Sequence, residues 1–443
     1  MSQKRANEAR QIERLTRQEI LKFQTSKLPS TVAAVMQSQF WSDRFVHAEV
    51  EPTSIRHLDD LYRAPTVDKQ AYCAALSANP AAYGGLLTTD VEAITKAGAI
   101  AYHTTGTSGK QGKFINTYDG FDVFGYQGIE LIKAAGGQPG DAVMLTWPLS
   151  FWAASWGFHY GSRLGPFLVV PAGPPVDTTM RINLIKEYRP SVIVLTPSYA
   201  LTLGQAAQEA GIKLSAHGVR GLLMGGETFG EVKRAKIEQA WDLPGGTRNF
   251  YGISEGGPLF AVECKAQDGL HLFEGDTIHQ FWRPGTNEPA DPGEIGEHVF
   301  TSISQRTMAT WFNFRTRDAA RYTDEPCKCG RHTRRMWIAE RLDDMVKVKG
   351  INVFASGVED LLTTITGVGK DFLLVISDDQ GRESLTLQIE VDLNTDQTAT
   401  TAHVRKAMQQ AWGINFAVEC LAPNTLLRTE GKVRRWKDLR SKI

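Results

Sequence analysis

The stretch YHTTGTSGKQGKF, residues 102–114, holds seven Thr, Ser or Gly residues and two lysines in thirteen positions. That composition has two readings. One is a flexible linker. The other is a loop that holds a phosphate. Gly106 and Gly109 would let backbone N–H groups converge on an anion. Thr104, Thr105, Thr107 and Ser108 would add hydroxyl donors, and Lys110 or Lys113 would add charge. The Walker pattern G-x-x-x-x-G-K-[ST] is absent, so the rest of the chain decides between them.

Downstream of the loop, short apolar runs alternate with amphipathic segments. DAVMLTWPL (141–149), GPFLVVPAG (165–173), PSVIVLTPS (190–198) and VRGLLMGGE (219–227) read as buried strands. TMRINLIKEY (179–188) and YALTLGQAAQEAG (199–211) read as helices between them. Strands alternating with helices imply βαβ units and a largely parallel sheet, whose ligands sit at the carboxyl ends of the strands. Residues 1–95 read mostly as helices and loops. Residues 270–325 read as antiparallel strands with turns such as ADPGE. After RLDDMVKVKG (341–350) comes a smaller α+β segment containing VEDLLTTI, FLLVIS and SLTLQIEV. The expected division is 1–342 and 343–443.

Bulk properties narrow the function. A chain of 443 residues exceeds one compact domain. Lys plus Arg equals Asp plus Glu at 49 each, which supports neither a nucleic-acid nor a membrane-surface role. The charged N-terminus lacks the apolar core of a signal peptide, and no run of about eighteen apolar residues exists. The expected location is the cytoplasm, and the expected state is a monomer or homodimer. Five cysteines, an odd number, argue against a disulfide framework. Cys264, His271, Cys327 and Cys329 instead make a three-Cys, one-His set suited to tetrahedral zinc, with Gly330 closing the C-x-C turn. No open ligand position is evident, so a structural zinc is expected, within a β-rich segment of about 264–340. Cys73 and Cys420 read as ordinary cysteines.

The order of the motifs is specific. TTGTSGK is followed by GGE (225–227), YGISE (251–255), RTRD (315–318), ERLDDMVKVKG (340–350) and TEGKVRR (429–435). From about residue 40 onward the chain resembles the phenylacetate-CoA ligase family of the adenylate-forming, acyl-CoA synthetase superfamily, whose signatures read SSGTTGKP, YGLSE, RTRD, RxDDM and EGKxxR. The resemblance implies an α/β fold: a large N-terminal adenylate-forming domain of parallel sheets with helices plus a β-rich subdomain, and a small mobile α+β C-terminal domain. It implies an acyl-adenylate made from a carboxylic acid and ATP with release of pyrophosphate. A thiol, usually coenzyme A, then displaces AMP.

Carried over residue by residue, Thr104 to Lys110 match the loop that holds the ATP phosphates. Gly225, Gly226 and Glu227 match the adenine-side loop. Tyr251, followed by Gly252, would stack near the adenine, and Ser254 would contact the α-phosphate. Glu255 would bind Mg²⁺, which takes one or two carboxylates plus phosphate oxygens. Asp318 would accept the ribose hydroxyls, with Arg341 nearby. Lys432 would approach the carboxylate and α-phosphate, where a flexible cation suits the developing charge. Asp343 matches the hinge of the small domain, and the face around Val348 to Gly350 the thiol tunnel. Similar EC…LH…CxCG patterns occur in relatives, here ECKAQDGLH and CKCGR.

The acid is less constrained. Trp147, Phe151, Trp152, Trp156 and Tyr160 could line a planar aryl site, with Ser155, His159 and Tyr199 reading a ring substituent. Half of these aromatics would equally serve as core. SFWAASW stands where the family often has YGLFTGG, which points away from phenylacetate itself. Gln111 stands in place of a Pro, and Asn313 in place of an Arg. The acceptor could be an amine or a carrier-protein thiol instead of coenzyme A, the acid could be a small oxyacid, and the scaffold could be an inactive binding protein. Lys347, Lys349 and Arg334 could attract the phosphates of coenzyme A or be solvated surface charge.

Overall fold

The computed structural model describes residues 2–88, 90–104, 112–151, 153–303, 311–342, 345–348, 351–379, 382–392, 395–413, 415–426 and 435–439. Packing divides the chain into two units, Met1–Thr316 with Ala320–Ile338, and Ala339–Ile443 with Arg317–Ala319.

Strands Leu168–Pro171, Ala142–Leu145, Val192–Leu195, Gly221–Met224 and Thr247–Ile253 lie side by side in that order, all parallel. Val192–Leu195 is the continuous apolar run VIVL, buried at every position, as a strand covered on both faces requires. Leu168–Pro171 departs from the expected buried strand. It ends the sheet, Leu168 is 55% exposed, and its proline is tolerated at an edge. Helix Thr178–Tyr188 starts where the Asp177 side chain accepts from the Met180 N–H at 2.7 Å, and stops at left-handed Arg189.

After Thr247–Ile253 the sheet turns antiparallel through Gly257–Glu263 and Leu270–Leu272, then Arg335–Arg341, and continues through Phe314–Thr323. Gly296–Ser302 and Thr277–Trp282 finish it as an antiparallel pair. The antiparallel expectation is met for Leu270–Leu272, Thr277–Trp282 and Gly296–Ser302, while Phe314–Thr323 also takes a short parallel partner, Val67–Asp68. The N-terminal helices Arg17–Val35 and Gln39–His47 bury Trp41 and Phe45 in a cluster with Tyr72, Trp311, Phe312 and Phe314. A separate hairpin, Ala99–His103 with Lys113–Thr117, flanks the Gly/Ser/Thr loop.

The second unit has its own core. Strands Ala417–Leu421, Arg382–Val391, Val368–Asp379 and Trp436–Asp438 form a four-stranded sheet in that order. Val358 and Leu362 of helix Ala355–Thr363, and Val404 and Met408 of helix Gln397–Trp412, pack on Phe372, Leu374, Leu387 and Ile389. No helix among the described residues is long and apolar enough to cross a membrane.

Candidate active site

Four predicted motifs meet because their strands are parallel. TW (146–147), TPSY, GGE and YGISE each follow or end a strand of the parallel set, so all lie at its carboxyl edge. Gly226 sits at φ 82°, a conformation that favours glycine, and a methyl group there would lie 3.9 Å from the Trp147 ring and 4.0 Å from the Thr196 methyl. Glu227 is held against the first turn of helix Pro197–Glu209. Its carboxylate accepts from the Ser198 N–H at 3.1 Å and the Ser198 hydroxyl at 2.6 Å, with Lys233 Nζ 3.5 Å away. A carboxylate at a helix N-terminus is stabilised by about 0.3–1 kcal/mol.

Gly252 lies where the next strand folds back. A Cβ there would fall 2.0 Å from the Pro258 carbonyl oxygen, so no larger side chain fits. Beyond it, Ser254 is half-buried and Glu255 is buried. The Glu255 carboxylate pairs with Lys69 Nζ at 3.4 Å, and its backbone carbonyl accepts from the Trp311 indole N–H. A buried carboxylate requires a counter-charge, which Lys69 supplies here and a divalent cation would supply in its place. The Tyr251 hydroxyl lies 3.3 Å from His298 Nδ1.

The base of the Gly/Ser/Thr loop is closed. The Thr104 N–H donates to the Gly112 carbonyl at 3.0 Å, and the Gly112 N–H donates to Thr104 Oγ1 at 2.9 Å. The His103 N–H donates to the Phe151 carbonyl at 2.9 Å, tying the hairpin to the loop after TW. Asp318 and Arg341 form an ion pair at 2.9 Å. Residues 105–111, Trp152, Asp343, Lys349, Gly350 and Lys432 lie outside the described residues.

The aryl-site candidates separate. Trp147 packs against Phe250, with ring centroids 5.5 Å apart, at the strand ends. Phe151 is 64% exposed. Tyr160 is buried and stacked on Phe121 at 5.1 Å, which is core packing. The Tyr199 hydroxyl accepts from Arg181 at 2.7 Å. Arg334 is no surface attractor of phosphates: its guanidinium binds both oxygens of Asp324 at 2.8 Å and donates to the His279 carbonyl. Asn313 is fully buried at φ 43° and donates to the Leu61 carbonyl at 2.7 Å, a joint between the N-terminal helices and the sheet.

Cys264, His271, Cys327 and Cys329 converge, their ligand atoms all within 4.8 Å of one another. Cys264 Sγ and Cys327 Sγ are 3.7 Å apart, and Cys329 Sγ and His271 Nε2 are 3.4 Å apart. A tetrahedral zinc sets these separations at about 3.8 and 3.6 Å. Backbone N–H groups of Ala266 and Cys329 point at the sulfurs of Cys264 and Cys327. His271 Nδ1 is 2.9 Å from the Thr333 hydroxyl, leaving Nε2 facing the thiols, as a ligating imidazole requires. Burial pushes the His271 imidazole down to about 3, which keeps it neutral.

Lys69, His279 and His298 were not foreseen. Lys69 opens a helix capped by Asp68, and nothing local marks it as the partner of a residue 186 positions away. The two histidines sit in ordinary strand patterns.

The chain is similar to known proteins over almost its whole length. The AMP-binding enzyme model matches residues 47–287, and the AMP-binding enzyme C-terminal domain model matches 350–440. The chain is 27% identical to a phenylacetate-coenzyme A ligase of Thermus thermophilus, covering 97% of this chain and 99% of that protein. It is also 27% identical to a phenylacetate-coenzyme A ligase of Escherichia coli, covering 97% of each. In fold it is similar to a 2-hydroxyisobutyryl-CoA ligase in the postadenylation state, with a TM-score of 0.80, 21% identity, and coverage of 96% of this chain and 91% of that one. With the motifs gathered at the carboxyl edge of a parallel sheet and a family model spanning more than half its length, the chain belongs to the AMP-binding enzyme family.

Proposed function

We propose that the chain activates an aromatic carboxylic acid with ATP and transfers the acyl group to coenzyme A. The observation that carries this is the meeting of Trp147, Gly226, Glu227, Tyr251 and Glu255 at one edge of the parallel sheet. Similarity over almost the whole chain to phenylacetate-coenzyme A ligases supports the reaction class.

The substrate carboxylate attacks the α-phosphorus of ATP, and the bond to pyrophosphate breaks. The thiolate of coenzyme A then attacks the acyl carbon, and AMP leaves with the electron pair. The Gly/Ser/Thr loop from Thr104 holds the phosphates. Tyr251 faces the adenine, Ser254 the α-phosphate, and Asp318, paired with Arg341, the ribose. Glu255 would hold Mg²⁺, which supplies charge neutralisation on the phosphates. Lys432 offsets the charge that builds at the transferring group. Asp343 is the hinge on which the C-terminal segment changes role between the two steps. The Cys264, His271, Cys327 and Cys329 set would hold a structural zinc: three thiolates and an imidazole leave no position for substrate.

Pyrophosphate release is measured across aromatic and aliphatic acids, each with coenzyme A, hydroxylamine or no acceptor. Turnover with an aryl acid that requires coenzyme A is the expected result. Release with hydroxylamine that coenzyme A does not stimulate would redirect the second step to an amine or a carrier-protein thiol. Preference for a small oxyacid would overturn the aryl assignment.

A further inference from the structure

Behind Tyr251 runs a buried chain of hydrogen bonds that the reaction itself does not use. His279 Nε2 lies 3.2 Å from the Phe273 carbonyl, His279 Nδ1 lies 2.9 Å from His298 Nε2, and His298 Nδ1 lies 3.3 Å from the Tyr251 hydroxyl. His298 is fully buried and His279 is 2% exposed. Cross-strand register puts His279 opposite Phe300 and Phe281 opposite His298, so the histidines are diagonal neighbours on one face of the Thr277–Trp282 and Gly296–Ser302 pair.

One backbone group sets the polarity of the whole chain. A carbonyl only accepts, so His279 must carry its proton on Nε2, and its Nδ1 accepts. His298 must then donate from Nε2, which leaves its own Nδ1 as an acceptor. The Tyr251 hydroxyl therefore donates inward. Burial holds both imidazoles neutral, so no second ring proton reverses the order. The rings also clamp the tyrosine: His298 meets Tyr251 edge to face at 5.7 Å and stacks on Phe281 at 5.5 Å.

We infer that His298 and His279 are positioning residues that fix the Tyr251 ring, and with it the nucleotide-binding face at the carboxyl edge of the sheet. This rests on the proposed role of Tyr251 toward the adenine. A phenol anchored only by its backbone would rotate and meet the base at varying angles. A hydroxyl committed to a buried imidazole presents a single orientation.

Two measurements test the relay without requiring turnover. Ring-nitrogen NMR of ¹⁵N-histidine-labelled protein should show both imidazoles as the Nε2–H form at neutral pH, with Tyr251→Phe shifting the His298 Nδ1 signal. Equilibrium dialysis of ATP and AMP should show Tyr251→Phe binding about three- to tenfold more weakly, the scale of one lost hydrogen bond. His298→Asn supplies an amide oxygen near the position of Nδ1. It should lower the melting temperature, because His279 loses its donor, yet keep nucleotide affinity within about twofold. His298→Leu should lose both. A role in stability alone would move the melting temperature and leave affinity untouched in all three variants. That result, or an Nδ1–H form on either ring, overturns the inference. Wild-type protein that binds nucleotide but exchanges pyrophosphate with no acid would sink the ligase reading and leave the relay standing. Wild-type protein that binds no nucleotide overturns both.

Discussion

Cys264 Sγ and Cys327 Sγ lie 3.7 Å apart although 63 residues separate them in the chain. Two buried thiols at that distance, with Cys329 and His271 closing the group, form a preorganised tetrahedral donor set. The purified protein should carry about one zinc per chain by elemental analysis. Cys327→Ser should lose the metal and lower the melting temperature by several degrees or more, because metal bound only to the folded state adds its binding free energy to folding. Metal-free protein with an unchanged melting temperature would contradict a structural role.

Lys69 and Glu255 make the second testable pair. Their 3.4 Å contact is half-exposed on the lysine side, so the interaction is worth no more than about 1 kcal/mol. Lys69 competes with any divalent cation for the carboxylate. Lys69→Ala should lower the Mg²⁺ concentration for half-maximal pyrophosphate exchange by about two- to fivefold. Glu255→Gln should raise it strongly and cut the rate about a hundredfold, the scale of losing one group that stabilises transition-state charge. Equal Mg²⁺ dependence in all three proteins would remove Glu255 from metal binding.

Acid stability depends on the two buried histidines. Burial lowers His298 to about 3 and places His279 well below its ordinary value; the second shift also reflects the neighbouring His298. The unfolded chain binds these protons below about 6.5; the folded chain takes up that of His298 only near 3 and that of His279 only well below its ordinary value. Stability is therefore intact above about 6.5 and falls with pH below it, by about 1.4 kcal/mol per pH unit for each such group. Urea unfolding between pH 7 and 5 should show a shallower decline in His298→Asn than in wild type. Identical slopes would mean that His298 titrates in the folded protein as it does in the unfolded chain.

Much of this was legible. VIVL and GLLM read as buried strands, and the amphipathic helices between them implied parallel pairing. The Cys/His set was legible because zinc limits its ligands to few residue types. The edge position of Leu168–Pro171 was not, because strand order is set by tertiary pairing rather than local pattern. His279 and His298 were hidden for a related reason: only the register of their strands makes them neighbours. Tyr160 and Arg334 show the converse. An aromatic and a cation that looked functional are held by Phe121 and by Asp324. Composition does not tell a side chain with partners from one that awaits a ligand.

The most direct test is acid-dependent ATP–pyrophosphate exchange without coenzyme A, in wild type and in Lys432→Ala. The account predicts exchange with at least one aryl acid, a loss of about a hundredfold or more in Lys432→Ala, and continued thioester formation by that variant when it is given preformed acyl-adenylate and coenzyme A. No exchange with any acid, or exchange at the wild-type rate in Lys432→Ala, would contradict it.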